Sequence, residues 1–185
     1  AEWGHPAVAV TDHGVVQAFP DAYHAAKKTG IKLLYGMEGY LLDDGECRLP
    51  NGEINVKARD TSHIILFAQN QTGLRNLYKL VTLSHTKYFY KKPRIPRSVL
   101  SAHREGLIIG SACVEGEVCR AILAGFGDEA LAKVMSFYDY LEVQPLCNNH
   151  FLIDRGTYES EQDLIRLNER IVEMGERLGI PVAAT

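Results

Sequence analysis

A parallel α/β architecture is the fold class that this 185-residue sequence predicts. Short apolar runs alternate with stretches of helical period along the whole chain. One long amphipathic helix is legible at Gln162–Leu178, where Leu164, Leu167, Ile171, Met174 and Leu178 share a face. No repeat, low-complexity stretch or internal linker divides the sequence, so the expectation is one domain over residues 1–185.

Each element has a local reason. Ala7–Val10 is an apolar run that ends in the polar cluster Thr11-Asp12-His13-Gly14. Pro20 suits a first helical turn, Tyr23 and Ala26 supply a buried stripe, and Gly30 stops the helix. The second strand is expected at Ile31–Tyr35, ending in Gly36-Met37-Glu38. Residues 43–60 are polar, contain Gly45, Pro50 and Gly52, and read as a hairpin or long loop with Asp43, Asp44 and Glu46 in a solvated turn. Ile64–Ala68 is a third strand with Ser62 and His63 at its start, and Leu74, Leu77, Tyr78 and Val81 follow at helical spacing. Leu107-Ile108-Ile109 leads into Gly110-Ser111-Ala112-Cys113, then helical segments near 118–123 and 129–138, and a short strand at Tyr140–Val143. Gly179 and Pro181 end the long helix before the strand-like Pro181–Ala184.

Composition excludes several classes. With 46% hydrophobic and 23% charged residues the chain is neither disordered nor collagen-like. Twenty Lys and Arg against 23 Asp and Glu give a net charge of −3, so contact with nucleic acid requires a local basic patch. No apolar run reaches the ~20 residues of a membrane span. Cys47, Cys113, Cys119 and Cys147 form no CxxC pair, which fits reduced thiols in the cytoplasm better than a disulfide framework. The chain starts at Ala1 and stops at Thr185 directly after a strand-like run, and the expectation is an internal fragment of a longer protein.

Functional side chains in parallel α/β folds gather where strands end. Asp12 and His13 follow the first apolar run, Glu38 the second and Cys113 the fourth, while His63 adjoins the third. Imidazole, carboxylate and thiolate are the donors that zinc, iron or manganese take, and such ions lower the pKa of bound water and neutralise charge on a phosphate. Taken singly, each residue also has an ordinary reading: a hydrogen-bonded strand-end histidine or a small buried cysteine.

In order along the chain, Thr-Asp-His-Gly at 11–14, Tyr-Gly-Met-Glu at 35–38, Ser-His-Ile-Ile-Leu at 62–66, Gly-Ser-Ala-Cys-Val-Glu-Gly-Glu at 110–117 and Tyr-Leu-Glu-Val-Gln at 140–144 resemble successive motifs of the PHP (polymerase and histidinol phosphatase) domain. Gly73–Val81 and Pro93–Ser98 are similar to the PHP segment of PolC-type bacterial DNA polymerase III alpha subunits. The resemblance implies a distorted (β/α)7 TIM-like barrel of the PHP type, incomplete at both ends, whose strand ends hold divalent metal. It implies His13, Glu38, His63 and Cys113 as ligands, with Asp12 either a ligand or a partner orienting His13. The family's HxH pair and its late Asp-x-His are not in this sequence, nor is the exonuclease insertion of PolC proteins between Tyr40 and Ser62, whether naturally absent or removed. The expectation is an incomplete site in this segment.

Lys87–Arg97 reads Lys-Tyr-Phe-Tyr-Lys-Lys-Pro-Arg-Ile-Pro-Arg, five cations with no acid. Lys91, Lys92, Arg94 and Arg97 are candidates for nucleic-acid contact, and the same loop reads equally as packing between domains. Glu115 and Glu117 suit a helix N-terminus, Glu142 is a candidate for the pocket rim, and His24, His85, His103 and His150 read as surface or structural.

Three functions are therefore expected in turn. The first is the PHP segment of a replicative DNA-directed DNA polymerase, whose partners are DNA, deoxynucleoside triphosphates and the remaining domains, and whose catalytic carboxylates with Mg lie outside these residues. Its PHP site, with Zn, Mn or Fe, is a 3′–5′ exonuclease-type phosphoesterase or a scaffold. The second is a stand-alone PHP phosphoesterase for a small phosphate ester, against which the polymerase-like stretches at 73–81 and 93–98 speak. The third is a non-catalytic interaction module. No residue is assigned a catalytic role from sequence.

Overall fold

β1 (Ala7–Val10) lies parallel to the start of β2 (Lys32–Leu42), with Ala7 facing Lys32 and Val10 facing Tyr35. The computed structural model describes residues 1–185, which form two compact units, Ala1–Ile108 and Ile109–Thr185. No helix is long and apolar enough to cross a membrane.

In the first unit, α1 (Phe19–Thr29) carries proline in its first turn and ends on Gly30 at φ 74°, the left-handed cap that glycine adopts without steric cost. Tyr23, expected in its buried stripe, is 49% exposed. The helix instead buries Phe19, whose ring meets Tyr35 edge-on at 4.9 Å.

β2 does not stop at Tyr35. It continues through Gly36, Met37 and Glu38 because its pairing partner changes along its length. β3 (Ser62–Ala68) pairs antiparallel with residues 36–41, and β5 (Lys92–Pro96) pairs parallel with residues 40–42. β4 (Phe89–Tyr90) is hairpinned onto β5. With β6 (Leu107–Gly110), the sheet order is β4-β5-β2-β3-β6, and β1 also pairs with β2. The sheet is mixed, which corrects the all-parallel expectation. His63, expected beside a strand, sits inside β3.

Alternation along β2 and β3 buries Met37, Leu41, Ile64 and Leu66 on one face. Against them pack Leu77 and Leu80 of α2 (Gln71–Thr86), a helix whose first turn is capped by Asn70 Oδ1 accepting from the Gly73 N–H at 3.0 Å. The polar stretch 43–60 stays a loop with one bridge, Arg48 to Ile54. Asp44 within it is not solvated. It is 2% exposed and accepts the Ser98 N–H at 2.9 Å and the Ser98 hydroxyl at 2.5 Å, satisfying the first turn of α3 (Arg97–Ala102).

The second unit contains α4 (Glu117–Leu123), α5 (Asp128–Met135), β7 (Leu141–Val143), α6 (Leu146–Asn149), α7 (Phe151–Asp154), α8 (Glu161–Leu178) and β8 (Val182–Ala184). β7 and β8 are parallel, Leu141 facing Val182. α8 buries Leu164, Leu167, Ile171 and Met174, the face read from sequence, and ends on Gly179 at φ 67°. Its Arg170 and Arg177 both donate to Asp128 at the start of α5, holding that carboxyl below the usual carboxylate range.

Candidate metal centre

Past β1, residues 12–14 stay alongside β2. The Glu38 N–H donates to the Asp12 carbonyl at 3.1 Å, and the Gly14 N–H donates to the Glu38 carbonyl at 2.7 Å. This bridge sets His13 level with Glu38. Gly14 is required here: its φ is +71°, and an added Cβ would lie 2.7 Å from Pro93 Cγ. The His85 Nε2–H donates to the Gly14 carbonyl at 2.8 Å and pins the turn from α2.

On β2 and β3, period-two alternation sends Glu38, Tyr40, His63 and Ile65 to one face. The Glu38 carboxylate lies between two imidazoles. Its Oε1 is 2.6 Å from His63 Nδ1, and its Oε2 is 3.2 Å from His13 Nε2. The three residues offer ligand atoms that all lie within 4.8 Å of one another. Glu38 and His63 are largely buried, with side chains 15% and 17% exposed, whereas His13 is 58% exposed, so the group opens to solvent on its histidine side. Tyr40 closes another side, its ring 5.3 Å from His63 and 6.4 Å from His13.

Two imidazole nitrogens and a carboxylate within one coordination sphere's reach are a donor set for zinc, manganese or iron. The carboxylate at hydrogen-bond distance from both rings fits such a group, because either oxygen can accept or ligate. Asp12 is not part of this group and contributes its carbonyl to Glu38. Cys113 belongs to the second unit, half-buried in the turn before α4, where its carbonyl accepts the Gly116 N–H at 2.8 Å.

The basic segment is split by its own folding. Arg94 is only 3% exposed, and its guanidinium donates to the carbonyls of Val56 at 2.7 Å, Arg59 at 2.5 Å and Tyr90 at 3.1 Å. That burial corrects its reading as a surface contact for nucleic acid: it fastens the 43–60 loop to the sheet. Lys91 is the hairpin turn residue, at φ +61° and exposed. Lys92 sits on the Tyr40 ring, its Nζ 4.5 Å from the centroid. Arg97 opens α3, half-buried.

Glu142, expected at a pocket rim, is 7% exposed and accepts from the Tyr140 hydroxyl at 2.7 Å and the Thr185 hydroxyl at 3.2 Å. Burial, and then this carboxylate, push the Tyr140 phenol up. Burial also pushes the Cys119 thiol up to about 12, with Cys113 and Glu142 adding to it. Glu117, in the first turn of α4, accepts from the Tyr138 hydroxyl at 3.0 Å. Sequence reasoning misses Tyr40 as a support and reads His85 as surface or structural; its hydrogen bond to Gly14 makes it the second. Their only local signal is position, one on a helix facing residue 14 and one two residues beyond Glu38.

The family model for the PHP domain matches residues 1–145. A DNA polymerase III PolC-type from Clostridium perfringens strain 13 is 49% identical over 132 residues, covering 71% of this chain and 9% of that protein. The PolC-type polymerase of Lacticaseibacillus paracasei is 46% identical over 162 residues, covering 88% of this chain and 11% of its own length. The chain thus spans about a tenth of these curated relatives. Among solved structures, one assigned as a metal-dependent phosphoesterase from Bifidobacterium adolescentis superposes with a TM-score of 0.53 at 14% identity, covering 99% of this chain and 77% of that one. At that identity the likeness speaks for the fold alone.

Proposed function

The chain belongs to the PHP domain family, and from that premise we propose that it is the PHP segment of a PolC-type DNA-directed DNA polymerase, carrying a divalent-metal phosphoesterase site on its first unit. The observation that carries the reading is the convergence of His13, Glu38 and His63, with ligand atoms all within 4.8 Å. These residues hold the metal, Zn, Mn or Fe, which supplies Lewis-acid stabilisation of charge on a phosphate ester. Asp12, next to His13, is either a further ligand or the partner that orients His13 in this reading. Glu38 fixes the orientation of both rings, and the Tyr40 ring shields the buried side from water.

In the same reading residues 1–185 are one PHP domain. The family match supports this by running across residue 108, where the two units divide, to residue 145. The distorted (β/α)7 barrel is the arrangement proposed for the complete domain, supported by the phosphoesterase-like superposition. The parent protein extends DNA from deoxynucleoside triphosphates with Mg in its other domains. It works in the cytoplasm, consistent with four free thiols. The exposed Lys91, with Lys92 and Arg97, faces nucleic acid in this reading.

The testing experiment measures metal content and metal-dependent release of nucleotide from a single-stranded DNA 3′ end by the full parent protein. Bound metal with release that is lost in Glu38→Gln supports a working phosphoesterase site. Bound metal without release leaves a scaffold, and absence of bound metal overturns the metal reading.

A further inference from the structure

We propose that the groove between α6 and α8 seats a lysine-rimmed amphipathic helix from another part of the parent polymerase. The proposal rests on the reading of residues 1–185 as a segment of a longer PolC-type chain, and it concerns the second unit alone. The groove lies past residue 145, where the match to the PHP family ends.

α8 carries three stripes. Leu164, Leu167, Ile171 and Met174 are buried within the unit. Beside them Ile165, Asn168 and Val172 recur at i, i+3 and i+7, all half-buried. Next to these, Glu169, Glu173 and Glu176 form an exposed acidic stripe. A surface helix ordinarily turns one apolar stripe inward and keeps the rest polar. The second apolar stripe of α8 is instead one wall of an open groove of about 510 Å³, with Leu146 of α6 on the other side. Both walls are fixed. The Asn168 Nδ2–H donates to the Gln144 carbonyl at 2.9 Å, which ties the segment leading into α6 to α8. Gly175 brings α8 so close to β8 that an added Cβ would lie 2.5 Å from Val182 Cγ2. That close approach sets the rotation of α8 and leaves Ile165 and Val172 at the surface.

Shape and charge select the occupant. Apolar residues at this spacing with charges alongside are the surface on which one helix receives another. Glu173 pairs with Arg170 at 3.1 Å, whereas the carboxylates of Glu169 and Glu176 have no cationic partner within the chain. An acidic rim repels nucleic acid and favours a basic helix. Lysine suits this rim, because its stem lies along an apolar floor while the ammonium reaches the carboxylates. Length then selects the source. Ile165 to Glu176 is about 16 Å of helix, whereas a free-standing interface takes roughly 20–30 residues a side. So short a contact holds when a covalent connection supplies the effective concentration. This chain spans about a tenth of its PolC-type relatives, and the rest of such a polymerase supplies the connected helix.

The test mixes heavy-isotope-labelled and unlabelled full parent protein and treats the mixture with a carbodiimide, which joins a carboxylate to an amine without a spacer. Peptide mass spectrometry locates the amides formed at Glu169 and Glu176. The expected result is coupling to lysines of one amphipathic segment outside residues 1–185, light to light and heavy to heavy. Val172→Asp and, on the facing wall, Leu146→Asp each place a charge in the seam and cut that coupling about tenfold. Circular dichroism confirms that each variant keeps its helices, so that either one reads the groove if the other unfolds. Coupling between light and heavy chains makes the occupant a second copy and overturns the proposal. Coupling confined to residues 1–185, no coupling at either glutamate, or coupling unchanged in a folded seam variant overturns it as well. Primer extension from deoxynucleoside triphosphates tests the polymerase reading by itself: its absence with coupling intact overturns that reading and leaves the groove assigned.

Discussion

Glu38 and His63 meet on a diagonal of the β2–β3 ladder. Glu38 is paired with Ile65 and His63 with Tyr40, yet Glu38 Oε1 and His63 Nδ1 are 2.6 Å apart. Diagonal neighbours on one face of an antiparallel pair are within reach of long side chains, and Tyr40 and Ile65 occupy the other diagonal. The carboxylate then has a second oxygen for His13.

That arrangement predicts the metal response. Glu38→Gln and His63→Ala each lower zinc or manganese affinity by more than about tenfold, because removing even an outer partner of a ligand costs this much. Calorimetric titration checks it. Equal affinity in His63→Ala places the metal elsewhere.

Asp44 predicts a fold defect far from any ligand. Asp44→Ala removes the acceptor of the Ser98 N–H and hydroxyl and leaves buried donors behind, at a cost of about 1–3 kcal/mol. Chemical denaturation reads it as a lower midpoint. An unchanged midpoint contradicts the cap.

Gly73 has no room for a side chain. An added Cβ would lie 1.8 Å from the Gly106 carbonyl oxygen, a backbone atom that cannot rotate away. Gly73→Ala is expected to cost about 3 kcal/mol or to prevent folding. Wild-type melting behaviour in that variant refutes the close approach.

Asp128 predicts a pH dependence. Its carboxyl is held low in the folded chain by hydrogen bonds from Arg170 and then Arg177. A depressed folded pKa means that its stabilisation is present above the unfolded carboxylate value and is lost as pH falls through the folded one. Asp128→Asn therefore melts below the parent at pH near 7 and converges with it in strong acid. A constant difference across that range shows that the ion pairs contribute nothing.

Thiol reactivity separates the cysteines. Cys147 is exposed, whereas Cys119 is 5% exposed with its thiol pushed up to about 12. Iodoacetamide at mildly alkaline pH is expected to label Cys147 rapidly and Cys119 only on unfolding. Equal rates in the folded protein contradict the burial.

Much of the local structure was legible along the chain. Proline in the first turn and Gly30 and Gly179 at the ends bound α1 and α8, and the Leu164–Met174 face of α8 is buried as its period requires. Capping and amphipathic period act within a few residues, so sequence carries them directly. The same holds for the types and order of the candidate ligands in 11–14, 35–38 and 62–66.

The tertiary structure alone decided what those residues face. β2 runs on to Leu42 because β3 and β5 take over from β1 as partners, and no property of residues 36–42 announces partners at 62–68 and 92–96. Arg94 and Lys92 look alike in a basic run, yet one is sealed under loop carbonyls and the other rests on an aromatic ring. Asp43 and Asp44 are adjacent acids, and only the second finds a helix end to cap. Strand pairing, burial and the meeting of Glu38 with two histidines arise from segments remote in sequence, whose contacts exist only once the chain has closed upon itself.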